Sequence, residues 1–218
     1  MAIFTPHLEI LPAPQKALWQ ELRETPEHFT LYGGTALALR IGHRKSVDFD
    51  FFSSQPFDVE RLELSVPYLR GAKRKMTDTN TLISTVDRGG EVKVCFFGGR
   101  PIQQVGLREQ PNGAGFWVAS LIDIAATKAT AIQHRAADRD YVDFDALIQH
   151  GISLPSILAA AKTVWGKTFN PLLTLKALSY YGDNPLLPDE VKKRLRAAVE
   201  AVDITGLPTF KAMPGHSL

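Results

Sequence analysis

Cysteine is almost missing from this chain. Cys95 stands alone among 218 residues, so no disulfide can form within it, and a reducing compartment fits. Long apolar runs are missing too: none approaches the ~20 residues that cross a bilayer, so no membrane segment is expected. The opening stretch MAIFTPHLEILPAP has neither the basic start nor the apolar stretch of a secretory signal; a cytoplasmic location is expected. Charge of one sign is not in excess either. Lys and Arg number 25 against 23 Asp and Glu, for a net +2, too little to argue for a nucleic-acid partner by itself. Histidines and the single cysteine show no metal-ligand spacing, so a zinc site is not expected. What is present is ordinary for a globular protein: 44% hydrophobic and 22% charged residues, long enough for one large domain or two small ones.

The pattern of apolar residues splits the chain. In the first half, PQKALWQELRE (14–24) reads as a helix, His28–Tyr32 as a short strand, and Gly34–Ile41 as a helix capped by Gly42. Val47–Phe52 alternates and reads as a strand, Asp58–Tyr68 as a helix with Asp58 at its N-cap. Thr81–Val86 and Val92–Phe97 read as strands joined through Arg88-Gly89-Gly90. Pro111-Asn112-Gly113-Ala114-Gly115 is a turn-rich linker candidate. Beyond it the periodicity is helical. Ser120 with Asp123 resembles a capping box opening a helix to about Arg135, followed by helices at about 139–149, 154–164, 171–181 and 188–202. The class is α+β. The expected division is 1–115 as a mixed core domain and 116–205 as a helical domain that completes a cleft, with 206–218 as a poorly ordered tail.

The segment YGGTALALRIGHRKSVDFDFF (32–52) carries the chemistry. Gly33 and Gly34 open a helix, where backbone N–H groups and the helix dipole suit phosphate oxygens. Asp48 and Asp50 alternate on a strand, so both face the same side, roughly 7 Å apart at the backbone. Two carboxylates that close can share one divalent ion, or a pair about 4 Å apart. The plain alternatives are a tight turn and two solvent-facing acids on an edge strand; it is their nearness in sequence that favours a site. Ser46, two residues before Asp48, shares the aspartates' face, and Arg44 or Lys45 could neutralise phosphate. A hydrogen-bonded strand start for Ser46 and a solvated Lys45 are the structural readings.

The helical half adds Lys128 within AATKATA, with Arg135 two turns along the same face. Small neighbours let another backbone or a ligand approach, so two readings stand: a cation held over phosphates, or a lysine snorkelling from an ordinary helix. Asp140 and Asp143 share a helix face. Either could orient Lys128 or Arg135 or act as a general base, and a plain inter-helix ion pair would account for them equally. Asp145 points elsewhere and is expected to be solvated. Basic clusters at Lys73-Arg74-Lys75 and at Lys192-Lys193-Arg194 with Arg196 could touch a nucleic-acid backbone or be solvated faces.

GGTALALRIGHRKSVDFDFF, VASLIDIAATKATAIQHRAADRDYVDFDALI and FNPLLTLKALSYYGD together resemble the AbiEii/AbiGii toxin family, relatives of the MenT-type toxins. The resemblance spans about Tyr32 to Asp183. It implies a polymerase-β-like nucleotidyltransferase core with a mixed sheet and helices, followed by a helical C-terminal domain. It also implies a toxin paired with a cognate antitoxin, and nucleotide transfer from an NTP to an RNA acceptor, the tRNA 3′ end. Carried over, the glycine motif falls on Gly33, Gly34 and Thr35, with Asp48 and Asp50 as Mg²⁺ ligands and Ser46 at the hydroxyl position. Lys128 matches the family lysine, followed by Arg135. Arg139, Asp140 and Asp143 match a basic-acidic motif, with Asp143 the favoured functional acid. Arg44 joins the nucleotide-binding set. Where such enzymes often place a third carboxylate on a later strand, VKVCFF has Cys95, so one Mg²⁺ travelling with the nucleotide is expected in place of two. Transfer to a small molecule or protein hydroxyl, or a catalytically silent binding module, are the alternatives. A nucleotide-sugar enzyme using the D-x-D fits the short chain and nearby glycines poorly.

Overall fold

The computed structural model describes residues 2–99 and 102–213, and they form two compact units. Among the described residues, the first holds 2–99, Ile102 and Leu107–Ser120; the second holds Gln103–Gly106 and Leu121–Met213.

The first unit is α+β. In chain order it contains β1 (Ile3–Phe4), α1 (Ala13–Trp19), β2 (Thr30–Tyr32), α2 (Gly33–Ile41), β3 (Asp48–Phe52), α3 (Val59–Ser65), β4 (Lys73–Asp78), β5 (Thr81–Asp87), β6 (Glu91–Phe97), β7 (Gln110–Pro111) and β8 (Trp117–Val118). A six-stranded sheet runs β4-β5-β6-β3-β2-β8, and β1 pairs with β7 separately. The sheet is mixed, with β3 parallel to β6, antiparallel to β2, and β8 parallel to β2. Alternation in DFDFF explains β3: Phe49 and Phe51 are fully buried while Asp48, Asp50 and Phe52 are half-buried on the other side. Behind the sheet, Phe51 stacks on Phe96 with ring centroids 5.4 Å apart, Phe29 meets Phe96 edge-on at 5.0 Å, and Trp19 meets Phe116 at 5.1 Å. Such aromatic pairs add to area burial and hold the central strands rigid.

Several sequence expectations shift here for identifiable reasons. The helix expected over 58–68 stops at Ser65, because Pro67 disfavours helical backbone at Val66; its N-cap is Asp58, which accepts from Arg61 N–H at 2.8 Å. The helix expected over 14–24 turns into a 3₁₀ segment after Trp19. Lys73-Arg74-Lys75 lies not on a loop or helix but in β4, an edge strand exposed along its whole length, where Arg74 grips Glu63. Charged residues on an edge discourage unwanted pairing. The turn at 111–115 lies inside the first unit, since β8 follows it and pairs with β2.

The second unit is helical: α4 (Leu121–His134), α5 (Asp138–Gln149), α6 (Leu154–Trp165), α7 (Pro171–Ser179) and α8 (Asp189–Glu200). The alanines beside Lys128 serve helix packing. Ala125, Ala126 and Ala129 of α4 are fully buried, as are Ala160 and Ala161 of α6, and the two helices pack closely. Trp165 Nε1 donates to the Ala126 carbonyl at 3.3 Å and Thr174 Oγ1 to that of Ala129 at 2.9 Å. Asp123 accepts from the Val105 and Gly106 N–H groups at 2.8 and 3.0 Å, which fastens the 103–106 segment to α4. Among the described residues no regular element follows Gly206, yet Phe210 accepts from Thr163 and Met213 N–H donates to Gln104, so the described part of the tail is tied down.

The solvated Asp145 expected from sequence is instead buried, at 4% exposure, and takes a two-pronged bond from Arg194 of α8 at 2.6 and 2.7 Å. Arg194 is thus a structural clamp between α5 and α8 and no part of a diffuse basic face. Asp145→Ala should lower the urea midpoint, since it removes the acceptor of the Arg194 bonds between the two helices. An unchanged midpoint would contradict the clamp.

Candidate active site

The turn into α2 and the strand β3 build one side of the site. Gly33 takes φ +77°, a left-handed conformation that side chains resist, and a Cβ there would lie 2.7 Å from Asp50 Oδ2. A Cβ on Gly34 would meet the Arg44 guanidinium at 2.5 Å and Ser46 Oγ at 3.3 Å. The glycine pair is therefore what lets the first turn of α2 lie against the acidic strand. The Tyr32 side chain does not cap that turn, whose leading N–H groups have no partner within the helix itself. Thr35 Oγ1 shares a 2.8 Å hydrogen bond with Ser46 and also touches the Asp48 carbonyl. Thr35 and Ser46 thereby lock helix start to strand start. Arg44 curls back, with Nη1 donating to the Lys45 carbonyl at 3.0 Å.

Register fixes the rest of this face. β3 and β6 pair in parallel so that Asp48 lies beside Lys93 and Asp50 beside Cys95. Lys93 Nζ is 3.6 Å from Asp48 Oδ2, both side chains being partly exposed. Lys93 was not singled out from the sequence; alternation in EVKVCFF could place it on a face, but not name the neighbouring strand. Cys95 is buried, and burial, reinforced by the Asp50 charge, pushes its thiol up to about 12. Among the described residues no group of three or more His, Cys, Asp and Glu side chains is arranged to hold a metal. Asp48 and Asp50 are nonetheless hard oxygen donors on one face, with one of them packed against a phosphate-type helix start. That donor set fits Mg²⁺ brought in by a nucleotide, since Mg²⁺ keeps waters and needs only one or two carboxylates plus phosphate oxygens.

The remaining candidates gather in the second unit. Lys128 of α4 is buried at 3% exposure and pairs with both Asp143 and, at 3.3 Å, Asp140 of α5. Both aspartates are wholly buried. Arg135 grips Asp140 through Nε and Nη2, each at 2.8 Å, while about half of its side chain is exposed. Lys128 does not snorkel; its ammonium is enclosed by carboxylates, and Arg135 is the exposed cation of the cluster. Burial acts most strongly on Asp140 and pushes its pKa up. The Arg135 hydrogen bonds and the Lys128 and Arg135 charges together outweigh it and hold the carboxyl below its usual range.

With this geometry in view, the comparisons with known proteins are specific. The model of the family described as nucleotidyl transferase AbiEii toxin, type IV TA system, matches residues 16–213. The chain belongs to the AbiEii family. It is a nucleotidyltransferase of polymerase-like mixed fold, from a toxin–antitoxin lineage. A protein of Aquifex aeolicus (strain VF5), described only as uncharacterized, is 33% identical over 159 residues, which cover 71% of this chain and 74% of that one. The MenT4 nucleotidyltransferase toxin of Mycobacterium tuberculosis H37Rv superposes with a TM-score of 0.61 at 19% identity, over 88% of this chain and 83% of that one. A candidate nucleotidyltransferase from H. pylori gives 0.52 at 18%, over 85% and 90%. At such identities the two structures speak for the fold. No helix among the described residues is long and apolar enough to cross a membrane.

A carboxyl with a depressed native pKa stabilises the fold above its unfolded value, and that contribution is lost as pH falls through the native value. Asp140→Asn should therefore cost roughly 2–3 kcal/mol at neutral pH, below the ~3–5 typical when a fully buried pair is broken, because Lys128 keeps Asp143 and Arg135 is half exposed. Below about pH 4 the mutant should lose stability less steeply than the wild type. Urea titrations from pH 6 to 2.5 would show this as converging curves. Parallel curves would contradict it.

Proposed function

We propose that the chain is a Mg²⁺-dependent nucleotidyltransferase that moves a nucleotide from an NTP to an RNA 3′ end, that of tRNA, as the toxin of a pair held in check by a cognate antitoxin. The single observation that carries the reading is the Asp48–Asp50 face packed against the Gly33–Thr35 helix start. Backbone amides of Gly33, Gly34 and Thr35 bind the triphosphate, helped by Arg44 and by Ser46, which keeps Thr35 in place. Asp48 and Asp50 hold Mg²⁺, which when bound neutralises and aligns the phosphate oxygens. Arg135, the exposed cation of its cluster, offsets negative charge on the α-phosphate and departing pyrophosphate, held through Asp140, while Lys128 with Asp143 fixes that carboxylate from within. The acceptor hydroxyl oxygen forms a bond to the α-phosphorus as the bond to pyrophosphate breaks. Its proton leaves to water. The RNA acceptor and the antitoxin rest on the family resemblance, which also favours a cytoplasmic setting.

A second reading, a nucleotide- or RNA-binding module without turnover, is favoured by one observation: Cys95 sits beside Asp50 where a third carboxylate would complete a two-ion site. Labelled NTPs offered to separated RNA, protein and metabolite pools distinguish these. Label should enter the RNA pool, and Asp48→Ala should reduce it by ~100-fold or more with the fold intact by circular dichroism. Label in the protein or metabolite pool would redirect the acceptor. Equal labelling by the mutant would defeat the site assignment, and nucleotide binding with no transfer to any pool would establish the second reading.

A further inference from the structure

The strand next to the twin acids carries a cation where a metal-rich site would carry another acid. Lys93 and Cys95 are the two β6 residues that face Asp48 and Asp50 across the parallel pair. Cys95 brings a soft sulfur and no carboxylate oxygen, so this flank offers nothing a second Mg²⁺ prefers. Lys93 brings a fixed positive charge, with Nζ 3.6 Å from Asp48 Oδ2 and about half of its side chain exposed. Asp48, Asp50 and Lys93 together carry one net negative charge, where three acids would carry three, and the Arg44 guanidinium beside Gly34 adds a second positive charge nearby. A divalent ion arriving at Asp48 must displace or share the carboxylate with that ammonium, and like charges a few ångströms apart repel. Once displaced, the ammonium sits on a flexible stem beside the nucleotide's phosphates, the arrangement in which a lysine acts as a phosphate point charge.

We propose that Lys93 is a built-in cation of the nucleotide site, which neutralises Asp48 in the absence of nucleotide and passes to a phosphate oxygen when the nucleotide–metal complex engages Asp48. It takes over the charge-balancing part of a second metal ion. The inference rests on the nucleotide-site reading of Asp48 and Asp50, and it makes metal and nucleotide affinities respond to Lys93 in opposite directions. A purely structural lysine would not do that.

The test uses the full chain with Mn²⁺ as a spectroscopic stand-in for Mg²⁺. Free Mn²⁺ is measured by electron paramagnetic resonance without nucleotide. Calorimetry with Mn²⁺ then follows binding of whichever α,β-methylene nucleoside triphosphate the wild type binds most tightly. Lys93→Ala should bind Mn²⁺ alone about threefold to tenfold more tightly, by loss of the competing charge, and the triphosphate about tenfold more weakly, by loss of a charge-assisted contact. Lys93→Arg should retain triphosphate binding near the wild-type value. Lys93→Met keeps the apolar stem and serves if the alanine variant melts early. Both affinities falling together, or neither changing, would overturn the inference while leaving the nucleotide site standing. A wild type that binds no triphosphate with Mn²⁺ would overturn the site reading itself, and is seen before any Lys93 variant is made.

Discussion

The parallel pairing of β3 with β6 is the constraint on which the rest of the first unit depends. A slip of one residue would turn Asp48 and Asp50 into the aromatic core and expose Phe49 and Phe51. The stacked Phe51–Phe96 pair forbids that slip by filling the space behind the sheet. With the register fixed, the acids, Lys93 and Cys95 come to one face without any further instruction. The glycine pair then does what no other residues could: Gly33 brings the start of α2 against Asp50 at a distance that a side chain would block. The helix start and the two carboxylates are one local unit, held by Thr35 and Ser46.

The second unit follows a different logic. It buries two carboxylates, Asp140 and Asp143, together with the ammonium of Lys128, and leaves Arg135 half in solvent. Burying such a cluster gains little over an apolar core and is often costlier. Under the proposed function, Arg135 is a charge held in one place by partners that cannot relax, as electrostatic stabilisation of a transferring nucleotidyl group requires. Asp145 and Arg194 show the contrast. That pair also bridges two helices, with Gln149 Nε2 adding a 2.8 Å bond to Asp145 from the same helix, and it reads as a clamp.

Legibility in the sequence follows how local each feature is. Gly33-Gly34, the helix to Ile41 with Gly42 as its cap, and the alternating Asp48–Phe52 strand were readable because each is written in a short periodic stretch with glycine punctuation. β4 was not, because KRKMTD has no apolar alternation and owes its strand geometry to hydrogen bonding with β5. β8 was not, because two residues carry no period. Lys93 escaped notice because neither its partner nor its strand's neighbour is encoded nearby. The alanines around Lys128 were ambiguous between ligand approach and helix approach, and α6 and α7 decide that for Ala126 and Ala129. The burial of Asp145 is not legible in the sequence because Arg194, which holds it, belongs to another helix far along the chain.

The nucleotide-site account makes a spatial claim that a diffraction experiment can check directly. Crystals of the chain grown with Mn²⁺ and a non-hydrolysable nucleoside triphosphate should show an anomalous peak within coordination distance of Asp48 and Asp50, roughly 2.0–2.2 Å. The triphosphate should lie on the amides of Gly33 to Thr35. A nucleotide seated elsewhere, with no anomalous signal at the two aspartates, would contradict the account.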